Sequence, residues 1–203
     1  MSINNRWFQL IASLIAMIMI ANLQYAWTLF VAPMQKQTGW ALSDIQGAFA
    51  LFILFQTWVQ PLDGWLVDRL GRETTMVLTF VLQAACLASV VTLGQLSGAW
   101  FAATLVAVYF TWGQIYSLFP STSGDYFGTR NATSNYAVLY TAKGVASIIG
   151  SWVTALIFEQ TGSWAMGFYG SAVMALVAAG IAVYLRAGSP SVRAKATRVP
   201  ATA

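Results

Sequence analysis

Long apolar stretches alternate with short polar connectors along this chain, and the pattern predicts helices that cross a membrane. Apolar runs fall at about 7–31, 44–66, 74–94, 98–119, 136–158 and 164–186. Each is long enough to span a bilayer as an α-helix, which takes roughly 20 residues. No connector is long enough to hold a folded soluble domain. The first run is too long for the apolar core of a signal peptide, lacks an A-x-A-like exit and ends in Val31-Ala32-Pro33-Met34, so it reads as a retained helix. The expected fold class is therefore all-α: a polytopic membrane protein of six transmembrane helices.

Composition agrees with the pattern. The chain is 58% hydrophobic and 8% charged, against about 25% charged residues in a soluble domain. Cys86 is the single cysteine and lies inside the third run, as ordinary packing, so neither a disulfide framework nor a thiolate metal site is expected. Without any histidine, imidazole catalysis and histidine metal sites are excluded. No metal or cofactor is implied.

The net charge of +4 reports orientation rather than nucleic-acid binding. With the N-terminus inside, the inner side carries Arg6, Arg69, Arg72, Arg130, Arg186, Arg193, Lys195 and Arg198, and the outer side only Lys36. That bias places both termini in the cytoplasm, in an inner (plasma) membrane, with the lipid bilayer as partner. The Asn131-Ala132-Thr133 sequon then faces the cytoplasm and is idle. Residues 187–203 form a Pro-, Ser- and Ala-rich basic tail, expected to be disordered and held near anionic headgroups.

One charge breaks the apolar pattern. Lys143 lies seven residues into the run Tyr136 to Phe158, which holds no other charge; that is roughly 10 Å along a helix axis. An ammonium at such a depth costs at least about 2.5–3.5 kcal/mol. No acidic residue lies well inside any run, so an anionic ligand is the leading counter-charge. The competing readings are snorkelling to the interface and pairing with Asp63 at the end of the second run. Gln56, Gln60, Gln83 and Gln114 read as interhelical hydrogen-bond donors, and Ala146-x-x-x-Gly150 as a small pair for close packing.

The second run ends in Gly64-Trp65-Leu66-Val67-Asp68-Arg69-Leu70-Gly71-Arg72. As a cytoplasmic loop, its glycines allow a tight turn, while Asp68, Arg69 and Arg72 can latch neighbouring helix ends. Asp125 and Arg130 read as a second latch in the connector 120–135. This G-x-x-x-D-R-x-G-R spacing resembles the gating-loop signature of the major facilitator superfamily.

Further segments resemble the oxalate/formate antiporter family of that superfamily. Gln24-Tyr25-Ala26-Trp27-Thr28-Leu29-Phe30 and Phe52 to Pro61 look like its helices one and two. Thr74 to Val91 and Thr111-Trp112-Gly113-Gln114-Ile115-Tyr116 to Pro120 look like helices nine and ten. Leu139-Tyr140-Thr141-Ala142-Lys143-Gly144 resembles helix eleven, and 164–186 helix twelve. The resemblance thus implies a chain deleted internally near Asp68 to Arg72, with 1–72 as a two-helix segment and 73–186 as a four-helix segment. Loss of an even number of helices preserves the orientation of the rest.

The resemblance also implies a central pocket around Lys143, Trp112, Tyr116, Tyr25 and Gln46, and a gating role for Gly64, Asp68, Arg69, Gly71 and Arg72. A small planar carboxylate needs a cation, hydroxyl or amide donors and aromatic walls. The family's second intramembrane cation, an arginine on helix eight, has no counterpart here. The expected function is exchange of small carboxylates such as oxalate and formate, without ATP and without enzymatic chemistry. The alternative is a membrane protein that binds or assembles without transporting. The uncovered faces left by missing helices would favour a homodimer.

Overall fold

The computed structural model describes residues 6–22, 29, 31–32, 35–36, 39–94, 96–113, 115–127, 130 and 132–187. The described residues are helical, with no strand among them. They form α1 (Arg6–Ala21), α2 (Leu42–Trp58), α3 (Gln60–Leu70), α4 (Arg72–Thr92), α5 (Gly98–Trp112), α6 (Ile115–Phe127), α7 (Ala132–Ser147), α8 (Thr154–Thr161) and α9 (Ala165–Ala187). A π-helical turn, Ile148–Val153, joins α7 to α8.

Several of these join into longer rods. Among the described residues five stretches are long and apolar enough to cross a membrane: Leu42–Leu70, Arg72–Thr92, Ala99–Gly124, Ala132–Thr161 and Ala165–Arg186. Trp7–Ala21 is a shorter apolar helix. The six predicted runs thus correspond to five spans plus α1, and most of 22–31 lies outside the described residues. The result is an all-α membrane bundle.

Local chemistry explains the interruptions. Pro61 opens α3 and cannot donate to the carbonyl of Thr57, so the rod breaks at Val59. The backbone bonds Val59 N–H to Phe55 O (3.0 Å) and Asp63 N–H to Val59 O (3.0 Å) keep its two halves aligned. Pro120 sits inside α6. There the hydroxyls of Ser121 and Thr122 back-bond to the Leu118 carbonyl at 2.8 and 2.7 Å.

Two expectations about connectors are corrected. The predicted gating loop is almost entirely helix: Gly64, Asp68 and Arg69 lie in α3, and the reversal into α4 is made by Gly71 alone at φ 84°. A left-handed glycine turns the chain within one residue, and Thr75 Oγ1 donates to the Gly71 carbonyl at 3.0 Å. Likewise the connector 120–135 is shorter than predicted, because α6 continues to Phe127 through Pro120 and includes Asp125.

Packing centres on α4 and α9, the most extensively packed pair, with α1 also against α9. Ala84 and Leu87 of α4 and Ala172, Ala175, Ala179 and Ala182 of α9 are buried. Small side chains let backbones approach, the usual means of helix association in lipid. Elsewhere α1 packs on α6 and α7, α2 on α5, and α3 on both α4 and α6. Ala146 is fully buried, and Gly150 touches the backbone of Asn22 just past α1.

Candidate functional site

Four helices bring one buried cluster together. α7 carries Lys143, only 4% exposed. Its Nζ lies 5.4 Å from the centroid of the Trp112 ring at the end of α5 and 5.1 Å from that of Tyr140, one turn earlier on α7. Trp112 is itself fixed: Nε1 donates to the Ile20 carbonyl of α1 at 3.1 Å. On the α2 side, Phe52 meets the Trp112 ring edge-on at 6.2 Å and lies against Tyr109 at 3.9 Å.

The energetics of this arrangement are close to balance. A desolvated cation–π contact contributes about 2 kcal/mol, and Lys143 faces two rings. The rings therefore offset a large part of the roughly 2.5–3.5 kcal/mol cost of an ammonium in a span. Snorkelling does not describe this side chain, because it is buried rather than extended to an interface. Pairing with Asp63 does not either: Asp63 Oδ2 is buried with no hydrogen-bond partner among the described residues.

The other predicted pocket residues fall in different places. Tyr25 lies outside the described residues, as do the side chain of Tyr116 and the whole of Gln114. Trp112 ends α5 and Tyr116 lies in the first turn of α6, within the one rod Ala99–Gly124. Gln46 is exposed in the second turn of α2, apart from that rod's buried stripe. The stripe runs Ile45, Phe52, Gln56, Val59 and Asp63, at helical spacing. Gln56 belongs beside the aromatic cluster, since a Cβ on Gly113 would stand 2.6 Å from its backbone oxygen. Its side-chain Oε1 is buried with no partner among the described residues, as is that of Gln83.

Sequence reasoning missed Tyr140 and Phe52 as walls of the Lys143 cluster. The i−3 spacing of Tyr140 was a usable signal. Phe52 had none, because only the crossing of α2 with α5 carries it to Trp112.

The α3–α4 end is a separate polar layer. Arg72 and Glu73 are both buried, with Nη2 to Oε1 at 3.1 Å, and Arg72 Nη1 donates to the Ser121 carbonyl of α6 at 2.9 Å. Arg72 thus ties α4 to α6, with Glu73, which the motif reading did not single out, as its ionic partner. Asp68 and Arg69 are exposed, and Arg69 stacks over Trp65 at 4.4 Å. Gly64 faces open space.

Known proteins share this sequence pattern. A profile of the major facilitator superfamily matches residues 12–202. The chain is 34% identical over 160 residues to the oxalate:formate antiporter of Oxalobacter formigenes, covering 78% of this chain and 38% of that protein. It is 31% identical over 134 residues to an uncharacterized 38 kDa protein in the 23S RNA operon of Thermoproteus tenax, covering 64% and 34%. Against apicoplast pyruvate carrier 2 of Toxoplasma gondii it is 28% identical over 129 residues, covering 63% and 19%. The chain therefore spans less than two fifths of the length of these curated relatives. With the match extending over nearly all of the helical bundle, the chain belongs to the major facilitator superfamily.

Proposed function

We propose that this chain carries the anion site of a small-carboxylate antiporter of the oxalate/formate type, with Lys143 as the fixed cation. The observation behind this reading is a lysine buried in a membrane span and walled by Trp112 and Tyr140. A carboxylate on the ammonium would supply the charge that the rings cannot, while the aromatic walls would exclude larger anions. The similarity to the antiporter of Oxalobacter formigenes supports the same substrate class. Tyr25, Tyr116 and Gln46 are proposed donors around the anion; the Gly64–Arg72 segment is the proposed cytoplasmic gate, with Arg72 as its anchor. The chain is read as helices one and two joined near Asp68–Arg72 to helices nine to twelve, in the plasma membrane with both termini inside.

Exchange of labelled formate in proteoliposomes tests the reading. Formate exchange in the wild type that is lost in Lys143→Gln supports it. A second reading, a membrane protein that binds a carboxylate without moving it, draws on the share of the relative that the chain covers, 38%. Rocking two complete halves is the family's route across the membrane, and a segment of that extent supplies less than two halves. Formate binding without flux selects this second reading, whereas absence of both binding and flux rejects the anion site.

A further inference from the structure

The span Ala132–Thr161 is broken at Ile148–Val153 by a π-helical turn, and its two arms are held very differently. The first arm, α7, buries Leu139, Ala142, Lys143 and Ala146 and packs on α1 and α6. The second arm, α8, buries none of its residues and leans on α9. A π turn holds one residue more than an α-helical turn, which loosens the backbone ladder where it occurs. Hydroxyls take up carbonyls there. Ser147 Oγ donates to the Gly144 carbonyl at 2.7 Å, Ser151 Oγ to that of Ser147, and Thr154 Oγ1 to that of Ile149 at 3.1 Å.

The turn rests on a fixed point. Gly150, the buried residue of the π segment, touches the backbone of Asn22, and a Cβ there would collide with the Asn22 carbonyl. Asn22 is tied on two sides. Its Nδ2 donates to the Met19 carbonyl of α1 at 2.7 Å, and its Oδ1 accepts from Ser171 Oγ of α9 at 2.9 Å. Two residues before Asn22, the Ile20 carbonyl seats Trp112. The fulcrum and the Lys143 cluster therefore belong to one fixed body. Beyond the turn, α8 meets α9 at Thr154, whose Cγ2 lies 2.9 Å from where a Cβ on Gly167 would stand. At its far end Phe158 stacks on Trp164, with ring centroids 4.1 Å apart and planes 13° from parallel.

We propose that the π turn is a hinge on which α8 swings away from α9, with Gly150 on Asn22 as its pivot and the Phe158–Trp164 stack as its latch. The arm is eight residues long, about 12 Å. A kink of about 20° then carries its far end about 4 Å. Gly162, left-handed at φ 66°, ends the arm in a turn that tolerates such a change. The swing opens one end of the bundle while Lys143, Trp112 and Tyr140 keep their places, so the inference stands apart from the anion reading.

Pairs of spin labels on the purified full chain, in a Cys86→Ala background, read the swing by pulsed electron resonance. Glu159→Cys on α8 and Val145→Cys on α7 are exposed positions, and each is paired with Leu96→Cys in the exposed α4–α5 turn. Phe158→Ala should open the latch and shift the Glu159–Leu96 distance by about 4 Å, leaving Val145–Leu96 unchanged. Deletion of Ile149, which converts the π turn into plain α-helix, should abolish that shift. An unchanged Glu159–Leu96 distance in Phe158→Ala overturns the hinge, as does a shift that survives the deletion. Equal shifts of both distances overturn it too, because α7 and α8 then move as one rod. Should the deletion fail to fold, the two distances in Phe158→Ala still decide.

Discussion

Lys143 is tolerated in the membrane because two aromatic faces replace part of its hydration. A monoanion such as formate would neutralise the cluster, whereas oxalate would leave one negative charge in a low dielectric. Uncompensated charge there costs roughly several kcal/mol. We therefore expect calorimetry on one copy to show formate bound more tightly than oxalate, and both lost in Lys143→Gln. Lys143→Arg keeps the charge but presents a planar fork where the rings accommodate a compact ammonium, so it should weaken binding without abolishing it. Tight oxalate binding by a single copy would contradict the idea that a second cation is required. A different balance holds at Arg72. Removing it in Arg72→Ala takes the ion-pair partner from buried Glu73 and the donor from the Ser121 carbonyl, a loss of about 3–5 kcal/mol. A thermal transition in mild detergent unchanged from the wild type would show that the pair does not hold α4 to α6.

At the scale of elements, helix crossings are set by glycines whose roles differ sharply. Gly113 lies where a Cβ would stand 2.6 Å from Gln56 O and Val59 Cγ1, while Gly144 faces open space. Gly113→Ala should therefore push α5 off α2 and disturb the seat of Trp112, at about 1–3 kcal/mol. By contrast Gly144→Ala should be neutral or stabilise the helix by up to about 1 kcal/mol. Thermal unfolding of the two variants side by side checks this, with equal transitions as the contrary outcome. The same scale shows why the connectors were misread. The motif Gly64 to Arg72 carries loop-like glycines and charges, but only Gly71 has the positive φ that ends a helix. The fourth apolar run ends before Pro120, yet the helix continues through it to Phe127.

For the whole molecule, the spans with most uncovered surface among the described residues are Leu42–Leu70 and Ala132–Thr161, 24% and 22% buried over their most apolar stretches. Their exposed side chains, Leu51, Phe55, Trp58, Ile148 and Trp152 among them, can pack on another helix as well as on lipid, so pairing of two copies is expected. A stable, monodisperse monomer by light scattering in mild detergent would count against it. Orientation is tested separately with single cysteines in a Cys86→Ala background. Arg130→Cys, in an exposed turn, should label from the cytoplasm, and Ser163→Cys, in the exposed turn before α9, from outside. Ser123 is unsuitable for this purpose because it is buried. Labelling of both from one side would overturn the span count between them.

The membrane class, the spans and the anomaly at Lys143 were legible in the sequence, because hydropathy and helix length are properties of consecutive residues. The local spacing of its motif also singled out Arg72, whose contacts with Glu73 and the Ser121 carbonyl only the structure shows. What surrounds those residues was decided only in the tertiary structure. Phe52 reaches Trp112 by a crossing of α2 over α5, and Ile20 lends its carbonyl from 92 positions away. Asp63 is buried because it continues the covered stripe of Ile45, Phe52, Gln56 and Val59 onto α3, which packs on α4 and α6, and Gln46 is exposed because it falls off that stripe. Spacing along a chain states which residues share a helix face, but the face that another helix covers is chosen by packing between distant segments, where small side chains permit backbones to meet.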